Sequence, residues 1–266
     1  MVRFFLLAFL CSFPAYADNQ ISLSGDFIPG ALIIGHTDPG NTIVLDGNPV
    51  RVSDEGLFLI GLERDAAGSL DLVVNADQTY QYDIAVRDYD VQRIDGLPSN
   101  QVTPDPATLE RIASERVLIT DARKADSLET SFTGGFMWPV TGPISGVYGS
   151  QRILNGKPRS PHNGVDIAAP RGSSVVAMGD GVVVLVHEDM FYTGKTVMID
   201  HGHGLTSVYI HMDSLLVEQG MTITKGTPIG TVGKTGRTTG PHLHWGVTLF
   251  STHLDPMLVV GPMSKP

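Results

Sequence analysis

The sequence predicts a mostly β protein: an antiparallel β-sheet domain preceded by a small β-sandwich and a connecting helix. Three observations lead there. Apolar stretches are short and separated by turn residues, 30 Gly and 17 Pro fall within 266 residues, and charged side chains make up only 17%. That composition suits many short strands joined by turns rather than a helical bundle. The length leaves room for one large domain or two ordinary ones.

Residues 1–17 read as a secretory signal. Arg3 precedes an apolar run too short to span a bilayer, and Ala15-Tyr16-Ala17 offers a small-x-small cleavage site. Cys11 raises a lipoprotein anchor, but Leu10 stands before it where a small residue is expected, so simple cleavage before Asp18 is the reading. The remaining chain has no cysteine, hence no disulfide and no thiolate, and any metal must be held by His and carboxylate. Loss of Arg3 leaves 17 basic against 28 acidic side chains, a net charge of −11. Such a surface argues against nucleic acid or an anionic membrane as partner. No second apolar stretch is long enough for a membrane span, so a secreted, soluble chain is expected.

Residues 18–96 carry the sandwich. Ala31-Leu32-Ile33-Ile34, Thr42-Ile43-Val44-Leu45, Leu57-Phe58-Leu59-Ile60, Leu70-Asp71-Leu72-Val73-Val74 and Tyr80-Gln81-Tyr82-Asp83-Ile84-Ala85-Val86 read as strands. Asp38-Pro39-Gly40-Asn41, Asp46-Gly47-Asn48-Pro49 and Asp54-Glu55-Gly56 read as the turns between them. The phrase from Thr37 to Val44, followed by Asp54-Glu55-Gly56-Leu57-Phe58, resembles immunoglobulin-like accessory domains of secreted bacterial proteins. His36, without a nearby partner, is expected in an ordinary surface or turn position.

Residues 97–135 are a linker with a helix. Leu97 to Pro106 is Pro-rich, and Thr103-Pro104 is the expected helix start. Leu109, Ile112, Ala113, Arg116, Val117 and Ala122 recur at helical spacing up to about Ser127, with Glu110, Arg111, Glu115 and Arg123 expected in solvent. Residues 136–266 form the last domain, again of short β-rich runs such as Gly181 to Val186, Thr196 to Ile199, Leu205 to Ile210 and Leu243 to Leu249.

That domain carries the chemistry. Ser160-Pro161-His162-Asn163-Gly164-Val165-Asp166 offers His-x-x-x-Asp, and Gly240-Pro241-His242-Leu243-His244-Trp245 offers His-x-His. Together they hold enough nitrogen and oxygen for one zinc ion with a position open to water. Residues two apart in a strand share a face, so His242 and His244 point the same way. One can ligate while the other reaches a water or substrate atom. His211 ends the run Val208-Tyr209-Ile210, so a strand delivers it to a rim. His201-Gly202-His203 reads as a hairpin turn near, but not in, the site, and His187 and His253 read as structural.

Pro161 to Ala168, Val208-Tyr209-Ile210-His211-Met212 and Gly240 to Trp245 resemble the lysostaphin/LytM-type zinc metallopeptidases. Lys225 to Gly230 and Gly233-Lys234-Thr235-Gly236 support the likeness, which runs from about Trp138 to Asp255. It implies a β-sheet domain that cleaves peptide cross-links of bacterial peptidoglycan, with Zn2+ on His162, Asp166 and His244 and with His211 and His242 catalytic. The rival reading is a non-catalytic relative that activates other cell-wall hydrolases. A short signal, the absence of a wall-sorting motif and an acidic surface fit the periplasm, and hence direct cross-links between stem peptides. The sandwich is the expected surface for a protein partner.

Overall fold

The computed structural model describes residues 21–263; the expected leader 1–17 lies outside them. The protein is mostly β, as expected. The first part holds two antiparallel sheets, one of Ser22–Ser24, Leu32–His36 and Leu57–Gly61, the other of Asn48–Val50, Ile43–Leu45, Ser69–Val74 and Gln78–Asp83. Alternation sets their faces: along Ser69–Val74, Leu70, Leu72 and Val74 are buried while Ser69 and Asp71 are exposed. Ile33, Phe58 and Ile60 close the core from the facing sheet.

The uninterrupted apolar runs have a separate cause. Leu32 and Leu59, with the partly buried Ile34 and Leu57, turn away from that core and join the core of the second part beside Leu249 and Leu254. A strand buried on both faces has no polar side to show. Across the same seam Arg87 Nη2 donates to Asp255 Oδ2 at 2.5 Å and Arg87 Nη1 to the Pro29 carbonyl at 2.8 Å. Asp255, in turn, caps the helix Pro256–Val260 through Met257 N.

The connecting helix spans Pro106–Ala122, not the expected start at Thr103. A residue before proline is driven out of the helical region, and both Thr103 and Asp105 precede one. Asp105 is held extended (φ −71°, ψ 168°) and accepts from Thr108 N, while Pro106 takes the first helical position. Two further expectations fail here. Glu115 is buried, accepting from Phe191 N at 2.8 Å and from Arg111 Nε at 2.6 Å, and Arg123 is half-buried. Leu109 and Val117, by contrast, are exposed. The helix makes its apolar contact with the strand Gly181–Met190 through Ile119 and Ala122, and Arg111 adds a polar one to Asp189, so its apolar face is narrower than the spacing suggested.

The second part is one large antiparallel sheet in the order Thr222–Ile223, Gly181–Met190, Gly194–Asp200, Leu205–Leu215, His242–Leu249, Val165–Ala168, Ile144–Gly146. Ser174–Val176 and Pro228–Val232 branch from the end of Leu205–Leu215. Val91–Ile94, at the end of the first part, pairs in parallel with Gln151–Leu154 of the second. Leu97, Val102 and Leu154 bury a small cluster beside that ladder. Among the described residues no helix is long and apolar enough to cross a membrane.

Arg87→Ala should expose how much the seam contributes. It leaves Asp255, whose side chain is 3% exposed, charged without its partner, and breaking a buried pair from one side costs about 3–5 kcal/mol. The expected outcome is a lower urea midpoint with an unchanged slope; an unaltered midpoint would mean that the pair contributes nothing.

Candidate metal centre

The site is a consequence of strand register. Val165–Ala168 pairs with His242–Leu249 so that Asp166 faces His244 and Ala168 faces His242. Directly opposed residues point to the same side of a sheet, so Asp166, His242 and His244 share a face. Their neighbours Val165, Ile167, Leu243 and Trp245 fill the core on the other side. His162 arrives from the loop before Asp166, fixed by His162 N to the Ser150 carbonyl and Gly149 N to the His162 carbonyl. Gly164 lets that loop pass, since a Cβ there would collide with the Trp245 carbonyl and crowd His244 Nε2.

Three atoms converge. His162 Nε2 lies 3.0 Å from Asp166 Oδ1, His244 Nδ1 lies 2.7 Å from it, and the two nitrogens are 2.9 Å apart. His162 Nδ1 sits 3.0 Å from the Val147 carbonyl. A carbonyl only accepts, so the proton is on Nδ1, and the lone pair of Nε2 faces a carboxylate oxygen. Two acceptors aimed at each other call for a cation between them. Ligand atoms around a tetrahedral zinc stand about 3.3 Å apart, given bonds of roughly 2.0–2.2 Å; the observed triangle is close to that. The donor set therefore fits zinc, with His162 and Asp166 buried and His244 half-buried. Arg152 Nη2 takes the other carboxylate oxygen, Oδ2, at 3.0 Å, which reserves Oδ1 for the ion.

His211 and His242 stand beside the triad with ring centroids 4.9 Å apart. His211 follows Ile210, the last residue paired with His244, at the point where its strand leaves His242–Leu249 and joins Pro228–Val232. Its φ of +64° is unusual for a side chain of this size; such strain costs about 1–3 kcal/mol and persists where surrounding structure imposes it. His211 N donates to the Thr193 carbonyl and His211 Nδ1 to the Thr235 carbonyl at 2.8 Å. His242 Nδ1 likewise donates to the Gly240 carbonyl at 2.9 Å. Each ring thus keeps an unprotonated Nε2, and that of His242 lies 3.7 Å from Asp166 Oδ1.

Electrostatics follows from burial. Desolvation pushes the His211 imidazole down to about 3, with His242 and His244 adding to the effect. It pushes His244 down to about 4 against the opposing hydrogen bond to Asp166. For Asp166 burial works against the charged form, but the adjacent imidazoles of His162 and His244 outweigh it and hold the carboxyl well below the usual range.

All five residues singled out from the sequence are therefore brought together. His201 and His203 are not near them. Both are buried just before Leu205, where the strand Leu205–Leu215 begins six residues, or roughly 20 Å, short of His211. His201 Nε2 meets Ser207 Oγ at 2.8 Å and its Nδ1 the Asp180 carbonyl at 2.6 Å, which makes it a core residue rather than a loose turn. His187 accepts from Asp189 N, His253 lies 3.3 Å from Asn163 Nδ2, and His36 is exposed at a strand end. Sequence reasoning missed Arg152, Arg237, Tyr192 and Gln92, which line the cleft around the triad. The only signal for them was the scarcity of cations in the chain.

Residues 160–256 match the model of Peptidase family M23. Peptidoglycan DD-endopeptidase ShyA of Vibrio cholerae is 36% identical over 146 residues, covering 54% of this chain and 33% of the relative. Peptidoglycan DD-endopeptidase ShyB of the same organism is 39% identical over 140 residues, 53% of this chain and 30% of the relative. The chain thus spans about a third of the length of these curated relatives. A crystal structure assigned to peptidase M23 from Pseudomonas aeruginosa superposes with a TM-score of 0.66 at 28% identity, over 89% of this chain and 96% of that one.

The histidines give a stability test. Native His211, His244 and His253 have lowered pKa values, the last pushed by burial to about 4. As pH falls below about 6.5 the unfolded chain takes up protons that the native state refuses, so stability drops with pH. Chelator-treated protein should therefore lose unfolding free energy steadily between pH 6.5 and 4 in urea titrations; a flat profile would contradict the burial argument.

Proposed function

We propose that this chain, which carries a peptidase family M23 domain, is a zinc-dependent endopeptidase hydrolysing peptide cross-links of bacterial peptidoglycan between stem peptides, in the periplasm after export. The observation that carries the reading is the convergence of His162 Nε2, Asp166 Oδ1 and His244 Nδ1 with two further imidazoles on the same side. The likeness to peptidoglycan DD-endopeptidases supplies the substrate class. Residues 18–96 would form an immunoglobulin-like accessory unit offering a surface to a protein partner, 97–135 the linker, and 136–266 the peptidase domain.

In this reading His162, Asp166 and His244 hold zinc, which when bound supplies a Lewis acid and lowers the pKa of water toward neutrality. His211 and His242 do the proton work. With Nδ1 of each tied to a main-chain carbonyl, Nε2 is left to accept a proton from the attacking water and return it to the leaving amine nitrogen. Burial keeps His211 neutral at physiological pH, ready to accept. Arg152 fixes Asp166, and the tethers of His211 to Thr193 and Thr235 prevent its ring from turning away.

Chelation should abolish hydrolysis of purified cell wall and added zinc should restore it. His244→Ala should lose the metal, whereas His211→Ala should keep stoichiometric zinc and lose about 100-fold or more in turnover. Activity that survives complete metal removal would end this reading. Zinc-loaded protein that releases no fragments would favour a scaffold that activates other hydrolases.

A further inference from the structure

Two of the three candidate ligands owe their orientation to one short segment. The Val147 carbonyl accepts from His162 Nδ1 at 3.0 Å, Gly149 N donates to the His162 carbonyl at 2.8 Å, and His162 N donates to the Ser150 carbonyl at 2.9 Å. Arg152 Nη2 holds Asp166 Oδ2 at 3.0 Å. Residues 147–152 therefore form a cradle that sets where His162 Nε2 and Asp166 Oδ1 point. Removing such a partner from behind a metal ligand typically costs about 10–100-fold in metal affinity.

Much of what holds the cradle comes from the first part of the chain. Ile144–Gly146, which leads into it, is the last strand of the large sheet. Gln151–Leu154, which leaves it, lies in a separate three-stranded sheet, between Lys157–Pro158 and Val91–Ile94. A hairpin of two short strands is marginal by itself, so pairing with Val91–Ile94 completes it. Gln151 N donates to the Asp90 carbonyl at 2.8 Å and Asn155 N to the Ile94 carbonyl at 2.9 Å.

Side chains add to this grip at the two residues that touch the ligands. Arg64 Nε donates to the Gly149 carbonyl at 2.7 Å. The Tyr89 ring lies so close to Gly149 that a Cβ there would fall 2.0 Å from Tyr89 Cε1, and the Arg64 guanidinium sits 4.3 Å from the centroid of the same ring. Gln92 Oε1 accepts from Arg152 Nε at 3.2 Å. Gly149 and Arg152 thus face both ways, toward His162 and Asp166 on one side and toward Arg64, Tyr89 and Gln92 on the other. Arg64 and Tyr89 are not among the residues lining the cleft beside the triad.

We propose that Arg64, Tyr89 and Gln92 are positioning residues for the metal centre: through Gly149 and Arg152 they fix His162 and Asp166, so that zinc affinity depends on how the first part docks. By linkage, bound zinc secures that docking in return. This rests on the assignment of His162 and Asp166 as ligands and extends it to side chains outside the ligand set.

The readout is the zinc affinity of the full chain, measured by competition with a chromogenic chelator, and hydrolysis plays no part in it. Arg64→Ala, Tyr89→Ala and Gln92→Ala should each weaken zinc binding by about 10-fold or more. Tyr89→Phe, which keeps the ring against Gly149, should stay within about twofold of the unmodified chain. So should Ile43→Val, which loosens the core of the first part away from the cradle and lowers the urea midpoint; a general loss of stability would weaken zinc there as well. Zinc should also slow hydrogen exchange at the Gln151 and Asn155 amides of the unmodified chain, a measurement that needs no variant to fold. Unaltered affinity in the three alanine variants would overturn the proposal, and, should those variants not fold, so would exchange at the two amides that zinc leaves unchanged. His162→Ala separates the two levels, because it should bind zinc more weakly than any of these variants. Weak binding there beside unaltered binding in the first-part variants overturns the positioning and leaves the ligand set standing; unaltered binding in His162→Ala overturns both.

Discussion

The register between Val165–Ala168 and His242–Leu249 is the constraint on which the rest depends. Because side chains alternate, a slip of one residue would turn Asp166 and His244 into the core and expose Val165, Ile167, Leu243 and Trp245 to the cleft. Burial of those apolar side chains, each contributing about 1.5–3 kcal/mol, therefore fixes the polar constellation. These polar side chains have no need to find one another: the packing of their neighbours puts them there. Gly164 and Gly146 complete the arrangement by making room, the first for the Trp245 carbonyl and the second for Asp166 Oδ2.

The polar face is costly in the same proportion. The imidazoles of His211 and His244 and the Asp166 carboxylate crowd into a space where burial opposes the charged form of each, and His211 sits in a backbone conformation that its side chain disfavours. The surroundings hold this frustration in place. His211 is caught between two sheet partners, since its strand pairs with His242–Leu249 before it and with Pro228–Val232 after it. Strain and converging lone pairs at one point are what a site built to receive a cation looks like from its own side.

Sequence alone made the five site residues and most strands legible, and the reasons are local. His162 and Asp166 flank a glycine in one phrase, His242 and His244 share a strand face by spacing, and short apolar runs between turn residues announce strands. What escaped depends on contacts distant in sequence. Glu115 reads as solvent-facing because nothing nearby in the chain reveals that Phe191 N awaits it. Leu109 and Val117 have helical spacing, yet the apolar contact of the helix with the sheet centres on Ile119 and Ala122. His201 and His203 look like turn residues until the depth of the turn is known. Val91–Ile94 and Gln151–Leu154 go unnoticed because their alternation is broken by Gln92, Arg93 and Arg152, of which Gln92 and Arg152 border the cleft.

That last ladder changes what should be regarded as the site. The family match begins at residue 160, but the cleft is also walled by Gln92, Ile94, Leu97, Arg116 and Arg152, all before it. Gln92 pairs with Arg152 in the parallel ladder and its Oε1 accepts from Arg152 Nε at 3.2 Å, while Arg152 grips Asp166. A chain of three residues, Gln92, Arg152 and Asp166, thus runs from the end of the first part to a candidate metal ligand. The shared core of Leu32, Leu59, Leu249 and Leu254 and the Arg87–Asp255 pair hold the two parts in that relation. The candidate ligand atoms therefore follow from residues 160–256, whereas the shape and charge of the groove beside them are set jointly with the segment that precedes them.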